Sequence, residues 1–210
     1  MAVSRQLDAW TGEFGAEYLD RNNDVSDERV NLAAKALASV LAHCSPPPRS
    51  ILEVGANIGV NLMALARVTD AALFGIEPFA QAHDRMVALV GKRLAGSAVA
   101  QAQSIPHADA SMDLVFTSGV LIHVAPQDLP AAMTEVHRVA RRYIMCSEYF
   151  AKQPESIRYR GEEGLLFKRD FGRLYLELFP ALTPVAQGFC WSVTTPYDDT
   201  TWWLFEKPAA

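Results

Sequence analysis

The sequence has little cysteine, no excess of positive charge and no long apolar run. Its cysteines, Cys44, Cys146 and Cys190, are far apart and form no CxxC pair, so neither a disulfide framework nor a zinc site is predicted. The formal net charge of −5 disfavours general binding to nucleic acid. No apolar run approaches the roughly 18 residues that a membrane helix needs, and residues 1–15 lack the apolar core of a signal peptide. We therefore expect a reduced, cytoplasmic protein with no nucleic-acid or membrane partner.

The rest of the composition is that of an ordinary folded chain, with half of its 210 residues hydrophobic and a fifth charged. This length suits one hydrophobic core better than two. We predict one domain over residues 1–210. Within it we expect an N-terminal lid at 1–25, a ligand-binding core at 46–150, and a cap with sheet-closing strands at 151–210.

Short apolar runs alternate with helical patterns after the three prolines at 46–48. Strands are predicted at 50–54, 72–77, 98–103, 113–117 and 143–148, and helices at 26–42, 59–68, 78–94, 129–140 and 170–179. This alternation is typical of a parallel sheet with right-handed crossovers. Two further strands, at 188–193 and 200–207, flank a turn at 195–199 and predict an antiparallel hairpin at one sheet edge. The predicted fold class is therefore α/β.

A glycine turn joins the first predicted strand to the next helix. Gly55 ends the strand and Gly59 opens the helix, which lets the backbone pass close to a ligand. Asn57 stands where many nucleotide-binding loops have glycine, and asparagine tolerates positive φ better than most residues. A tight turn without a ligand is the alternative interpretation.

An acidic residue at the end of the next strand favours a ribose-bearing ligand. In a parallel sheet Glu77 would lie beside the glycine turn, where its carboxylate can accept from both ribose hydroxyls. The third glycine of GxGxxG and the GxxxxGK[ST] phosphate loop are both absent. We therefore predict an adenosine-type ligand without a pyrophosphate or triphosphate.

Residues 53–59 (EVGANIG), Glu77 and residues 113–116 (DLVF) resemble motifs of class I S-adenosylmethionine-dependent methyltransferases. Stretches that resemble, more narrowly, the pseudaminic acid biosynthesis-associated methylase group lie at 10–18, 21–22, 119–123, 159–161, 167–171 and 198–202. That group also has asparagine at the Asn57 position, where the general motif has glycine. The resemblance runs nearly end to end. It implies a Rossmann-like class I methyltransferase fold with a seven-stranded sheet, and S-adenosyl-L-methionine as cofactor.

The resemblance also implies a set of cofactor-binding residues. They are Trp10, Tyr18, Arg21, Gly55, Asn57, Gly59, Asn61, Glu77, Pro78, Ser104, Ile105, Ser118 and Gly119. Ser104 and Ile105 would lie against adenine. Tyr18 and Arg21 are candidates for the methionine carboxylate, and a packed lid with a surface ion pair is the alternative.

Candidate catalytic residues are Tyr149, Glu148, His123 and Tyr175, and candidate substrate residues are Tyr159, Arg160, Ser192 and Trp202. Aromatic side chains in this set can stabilise a sulfonium cation. His123 stands on an apolar stretch and is more typical of a hydrogen-bonded structural residue, with general base as the alternative. Arg160 is a candidate for an anionic substrate. The histidines have no mutual metal-ligand spacing, so we predict no metal site.

The leading functional hypothesis is a transferase of small-molecule metabolism that moves the methyl group of S-adenosylmethionine to a small polar acceptor. A short lid and no second domain argue against a macromolecular substrate. The resembling group also includes cyclases that convert S-adenosylmethionine into azetidine-2-carboxylate and methylthioadenosine, and this reaction stays open. A non-catalytic adenosine-binding protein is the third hypothesis. The chain is expected to be a monomer or a homodimer.

Overall fold

The computed structural model describes residues 5–208, in which a central sheet carries helices on both faces. The helices are α1 (Arg5–Thr11), α2 (Glu13–Arg21), α3 (Asp27–Leu41), α4 (Val60–Val68), α5 (Ala80–Val90), α6 (Leu129–Val139) and α7 (Phe171–Leu178). The strands are β1 (Ser50–Val54), β2 (Ala72–Ile76), β3 (Leu94–Ala98), β4 (Met112–Ser118), β5 (Ala140–Glu148), β6 (Glu155–Tyr159), β7 (Glu162–Lys168), β8 (Thr183–Cys190) and β9 (Thr200–Glu206). No helix in this part of the chain is long and apolar enough to cross a membrane.

The central sheet has seven strands in the order β3-β2-β1-β4-β5-β9-β8. Strands β1 to β5 pair in parallel, and β9 runs antiparallel to both β5 and β8. This topology confirms the predicted mostly parallel α/β sheet closed by a C-terminal antiparallel hairpin. Because β8 therefore runs in the same direction as β5, the loop from β8 to β9 leaves the sheet at its carboxyl edge.

Successive residues of each strand point to opposite faces of the sheet and so belong to two separate cores. Leu52 and Val115 pack with α6 and α7 on one face, whereas Ile51 and Leu114 pack with α3, α4 and α5 on the other. This two-sided burial explains why the central strands read as nearly continuous apolar runs. Helix α3 begins as predicted after Ser26, whose hydroxyl accepts the backbone N–H of Arg29.

The sequence predicted the third strand too close to the C-terminus. It was predicted at 98–103 and lies at Leu94–Ala98. The segment LAGSA has weak strand propensity of its own, and its pairing with β2 decides its position. The strand predicted at 188–193 is likewise shifted, because pairing with β9 sets its bounds at Thr183–Cys190.

Two parts of the structure were not predicted as regular elements. Residues 1–25 showed only weak periodicity, yet they contain α1 and α2, while residues 1–4 lie outside the described residues. Strands β6 and β7 form a separate two-stranded sheet after β5. Their charged residues obscure the period-two pattern by which a strand is recognised.

Candidate active site

A cavity of about 320 Å³ lies at the carboxyl edge of the sheet, where β1, β2, β4 and β5 end. Helix α2 and the β8–β9 loop contribute to its walls, and its size falls within the roughly 300–1,000 Å³ of small-molecule sites. The predicted cofactor residues that line it are Trp10, Tyr18, Gly55, Asn57, Asn61, Glu77, Pro78, Ser118 and Gly119. Tyr149, His123 and Tyr159, predicted as catalytic or substrate residues, line it as well.

The glycine turn adopts the left-handed backbone that its sequence suggested. Gly55 has φ +73°, Asn57 has φ +47° and Gly59 has φ +84°. A Cβ at Gly55 would come within 2.6 Å of the Val120 side chain, so only glycine fits there. Gly59 is the residue before α4 and does not line the cavity. A Cβ at this position would meet the side chains of Met86 and Val90 of α5. Asn57 thus keeps the turn geometry without a central glycine.

Glu77 lies beside this turn and is held by the backbone. One carboxylate oxygen accepts the N–H of Asn57 at 2.8 Å, and the other accepts the N–H of Phe79 at 3.0 Å. Burial raises the pKa of this carboxyl above its ordinary value, while the two N–H groups oppose that shift. A carboxylate oxygen accepts more than one hydrogen bond, so Glu77 retains acceptor capacity towards the cavity.

A chain of hydrogen bonds runs from the β8–β9 loop to the end of β1. The Tyr197 hydroxyl donates to Oδ1 of Asn61 at 2.7 Å, and Nδ2 of Asn61 donates to Oε1 of Glu53 at 2.7 Å. The second carboxyl oxygen of Glu53 is buried and has no hydrogen-bond partner. Glu53 therefore presents a cavity-lining carboxyl group with free acceptor capacity.

Because the Glu53 carboxyl group is buried, we expect the stability of the protein to depend on pH. Burial raises the pKa of Glu53 to about 8, against about 4.3 in an unfolded chain. Between these values the folded state holds a proton that the unfolded state has lost, so the free energy of unfolding falls as pH rises through this window. Between about pH 5.5 and about pH 7.5 we expect the free energy of unfolding of Glu53→Gln to fall by about 2 kcal/mol less than that of the wild type.

Urea unfolding of wild-type and variant protein at the two pH values measures this difference. The matched control is Glu17→Gln, an exposed glutamate of α2, which should keep the wild-type pH dependence. A Glu53→Gln variant with the full wild-type decrease would mean that the Glu53 carboxyl is ionised in the folded protein.

Aromatic rings from the lid pack over the end of β4. The Trp10 ring centroid lies 5.0 Å from that of Tyr18 and 4.4 Å from that of His123, and His123 lies 5.5 Å from Tyr159. The indole Nε1 of Trp10 is buried without a partner. Burial raises the pKa of Tyr18 to about 12, so this hydroxyl stays protonated and can donate. The cluster covers one side of the cavity with aromatic faces.

His123 is neutral under physiological conditions. Its Nδ1 lies 2.6 Å from the carbonyl oxygen of Leu165, which requires the proton on that nitrogen. Burial lowers the pKa of His123 to about 4. A group with this pKa is a weak proton acceptor at pH 7, and the geometry favours the structural interpretation of His123 over the general base.

Tyr149 contacts the β8–β9 loop. Its hydroxyl donates to a carboxylate oxygen of Asp198, and the ammonium group of Lys168 lies 5.5 Å from its ring centroid. Burial and Asp198 together raise the pKa of Tyr149, which keeps the phenol protonated. Tyr149 and Asp198 both line the cavity and form a polar pair that can accept from, or donate to, a small molecule.

Four predicted cofactor residues lie away from the cavity. Arg21 donates to Glu17 on the exposed side of α2, at 3.2 Å. Ser104 is exposed, and Ile105 is buried with its N–H donating to Glu135. Since β3 ends earlier than predicted, residues 101–103 line the cavity in place of Ser104 and Ile105. Gly59, as described above, packs against α5.

Two predicted catalytic residues, Glu148 and Tyr175, are buried outside the cavity. The Glu148 carboxylate is inaccessible and accepts the N–H groups of Val120, Leu121 and Ile122 at 3.2–3.3 Å. It therefore holds the loop after β4 in place. Tyr175 is fully buried in the core beneath the sheet, and its hydroxyl has no hydrogen-bond partner.

Three predicted substrate residues also lie away from the cavity. Arg160 is exposed at the β6–β7 turn, where its guanidinium lies over the Tyr159 ring. Ser192 is exposed and donates its N–H to Asp199. Trp202 is only 9% exposed and packs in the core on the α3 side, because alternation along β9 turns it away from the cavity.

The sequence missed several cavity residues, among them Arg29, Gln101 and Asp198. Asp198 was placed in a turn and in the resembling stretch 198–202, but was given no role at the site. A signal for it was present, because the predicted hairpin topology sends that turn to the carboxyl edge of the sheet. Arg29 gave no comparable signal, since a charged residue early in a helix is usually a solvated one. Within residues 5–208, no group of three or more histidine, cysteine, aspartate or glutamate side chains is arranged to hold a metal ion.

Part of the sequence matches a known protein family. Residues 52–143, less than half of the chain, match the model of a family described as a methyltransferase domain. No curated protein matches the sequence significantly.

Solved structures match over nearly the whole chain. The 1,6-didemethyltoxoflavin-N1-methyltransferase of Burkholderia thailandensis, solved with 1,6-didemethyltoxoflavin and S-adenosylhomocysteine, has TM-score 0.74 and 15% identity over 99% of this chain and 91% of that one. Magnesium protoporphyrin IX methyltransferase from Synechocystis PCC 6803, with bound S-adenosylmethionine, has TM-score 0.66 and 13% identity over 99% of both chains. The [4+2]-cyclase SpnF has TM-score 0.62 and 14% identity over 83% of this chain and 81% of that one. These likenesses show a class I methyltransferase fold.

Proposed function

We propose that this chain binds S-adenosylmethionine in the cavity and transfers its methyl group to a small polar acceptor. The observation that carries the proposal is the juxtaposition of Glu77 with the Gly55–Asn57 turn on one cavity wall. A carboxylate held by backbone N–H groups beside such a turn suits the two hydroxyls of a ribose. The methyltransferases of similar fold, solved with S-adenosylmethionine or S-adenosylhomocysteine, support the same ligand.

The residues present fit this cofactor. Glu77 keeps acceptor capacity for ribose, and Gly119 lies against open space, because an added Cβ would meet no heavy atom within 4 Å. Aromatic faces of Trp10, Tyr18 and Tyr149 line the cavity and suit a sulfonium cation. When bound, S-adenosylmethionine supplies a methyl carbon that is already activated by its sulfonium.

The protein then has to align the acceptor and exclude water. Residues of the N-terminal helices and of the β8–β9 loop both line the cavity. Tyr149 and Asp198 form the polar pair that we propose orients the acceptor, by donating to it or accepting from it. A small acceptor is consistent with the cavity size and with the small molecule named for the Burkholderia thailandensis enzyme.

A second reaction of the same ligand has its own support. Cyclisation to azetidine-2-carboxylate forms a bond from the amine nitrogen to the γ-carbon, breaks the bond from that carbon to sulfur, and leaves methylthioadenosine with the electron pair. The amine must first lose a proton. Glu53 lines the cavity with a buried free oxygen and a pKa of about 8, so its ionised form can take that proton.

Product analysis separates these reactions. Purified protein is incubated with S-adenosylmethionine alone, and the products are identified by mass spectrometry. If methyl transfer is correct, the cofactor stays intact without an acceptor and S-adenosylhomocysteine forms once a suitable acceptor is added. Enzyme-dependent methylthioadenosine with azetidine-2-carboxylate would establish cyclisation instead. Binding without turnover across acceptor classes would support a non-catalytic protein.

A further inference from the structure

The loop between β3 and β4 forms part of the cavity wall without belonging to a helix or strand. In this β3–β4 loop (residues 99–111), residues 101–103 line the cavity. The N–H of Ala100 donates to the carbonyl oxygen of Glu77 at 3.3 Å and ties the start of the loop to the end of β2. An irregular segment keeps one conformation only where further contacts outweigh its conformational entropy. The position of this wall therefore depends on what holds the rest of the loop.

Arg138 of α6 holds the rest of the loop. A guanidinium group carries five N–H donors. Nη2 of Arg138 donates to the carbonyl oxygen of Ile105 at 3.0 Å, and Nη1 donates to the carbonyl oxygen of His107 at 2.8 Å and to Oδ1 of Asp109 at 2.6 Å. The carboxylate of Glu135 accepts from Nε at 2.6 Å and from Nη2 at 2.9 Å. Every donor of the group is thus used, three of them by the loop.

Glu135 lies one turn earlier in α6 and contacts the same loop. Its Oε2 accepts the N–H of Ile105 at 2.8 Å. Ile105 is therefore held at both its N–H and its carbonyl oxygen, and only 3% of the residue is exposed. Hydrogen bonding between the two side chains lowers the pKa of Glu135 and raises that of Arg138, so both stay ionised at neutral pH.

The anchored residue is linked directly to the cavity wall. Ser104 precedes Ile105, and its N–H donates to the carbonyl oxygen of Gln101 at 3.1 Å. A shift of Ile105 is therefore transmitted to residues 101–103 within one turn of the chain. Arg138 and Glu135 themselves do not line the cavity.

We propose that Arg138 and Glu135 are positioning residues, which hold the β3–β4 loop so that its cavity wall is formed before the nucleoside ligand binds. The inference rests on the proposed function for the identity of the ligand, and deepens it. A wall that is already ordered reduces the conformational entropy lost on binding. The arrangement is specific to arginine, because a lysine ammonium group has only three donors and no planar fork.

Calorimetric titration with S-adenosylhomocysteine measures the effect on binding. We expect Arg138→Gln and Arg138→Lys each to bind this ligand about 10-fold more weakly than wild type, because neither side chain reproduces the fork. The matched control is Arg141→Gln, which removes an arginine of β5 that pairs with Asp113 near the start of β4, away from the cavity, and should leave the affinity unchanged. Wild-type affinity in either Arg138 variant would overturn the proposal.

Amide hydrogen exchange of the ligand-free protein tests the loop itself. The peptide spanning residues 99–110 should exchange on the order of 10-fold faster in Arg138→Gln than in wild type, whereas β1 and β4 should keep their wild-type rates. A residue that only stabilises the whole fold would instead change exchange in these strands as well, or lower the stability towards urea without changing the affinity. Either of those results, or unchanged exchange at 99–110, would overturn the positioning role.

Glu135→Gln is a milder variant that keeps the test independent of the folding of Arg138→Gln. Its amide retains one acceptor oxygen for three donors, so we expect about threefold weaker binding and faster exchange at 99–110. Wild-type values of both would contradict the role of the pair. Wild-type protein that does not bind S-adenosylhomocysteine would contradict the proposed function, whereas exchange in the ligand-free protein would still decide whether Arg138 holds the loop.

Discussion

Replacement of Glu77 by alanine is expected to weaken the binding of S-adenosylhomocysteine about 100-fold, through loss of charge-assisted hydrogen bonds to two ribose hydroxyls. The change also removes the acceptor of the Asn57 and Phe79 N–H groups, which hold the glycine turn against β2. Calorimetric titration measures the affinity. Because 5′-methylthioadenosine carries the same ribose, its binding should fall by a similar factor.

Glu17→Ala is the matched control, since Glu17 is an exposed glutamate of the lid that pairs with Arg21. Circular dichroism at the titration temperature verifies that each variant is folded. A Glu77→Ala protein with affinity within about threefold of wild type would contradict the ribose-binding role.

Replacement of Glu148 by alanine is expected to lower the free energy of unfolding by about 3 to 5 kcal/mol. Its carboxylate is fully buried and accepts from three consecutive backbone N–H groups in the loop after β4. Alanine leaves those donors without an acceptor and creates a cavity. For a chain of this length the melting temperature should fall by roughly 10 °C.

Glu148→Gln separates the structural role from a catalytic one. The amide keeps one acceptor oxygen, so its loss of stability should be less than half that of alanine, as judged by urea unfolding. Because burial raises the pKa of Glu148 to about 7, part of the wild-type population is already protonated at neutral pH and resembles the amide. A Glu148→Gln protein with wild-type stability but no turnover would restore the catalytic assignment that the sequence suggested.

The glycine turn shows how far local sequence reasoning reaches. The positive φ at Gly55 and Asn57 follows from steric limits that act within one or two residues. The placement of Glu77 beside them follows from the parallel alternation of strands and helices, which brings strand ends to one edge. Both were therefore predictable, and so were the seven strands and their closing hairpin.

The third strand shows where this reasoning stops. Its sequence LAGSA has no strong preference, and its bounds come from pairing with β2. The strand ends five residues earlier than predicted, and residues 101–103 line the cavity in place of Ser104 and Ile105. Trp202 was also predicted at the site but packs in the core on the α3 side. Adjacent residues of β9 face opposite sides of the sheet, so the register of β9 with β5 decides which core Trp202 and Trp203 each enter.

The sequence by itself determined the fold class and the acid beside the glycine turn, because backbone sterics and the period of hydrophobic residues are local properties. Only the tertiary structure decided which charges face the cavity. Arg29 and Arg21 are chemically equal in the sequence, and Glu148 and Glu53 are both acids on strands. Burial and contacts between distant segments direct Arg29 and Glu53 to the cavity, Arg21 to solvent and Glu148 to a loop.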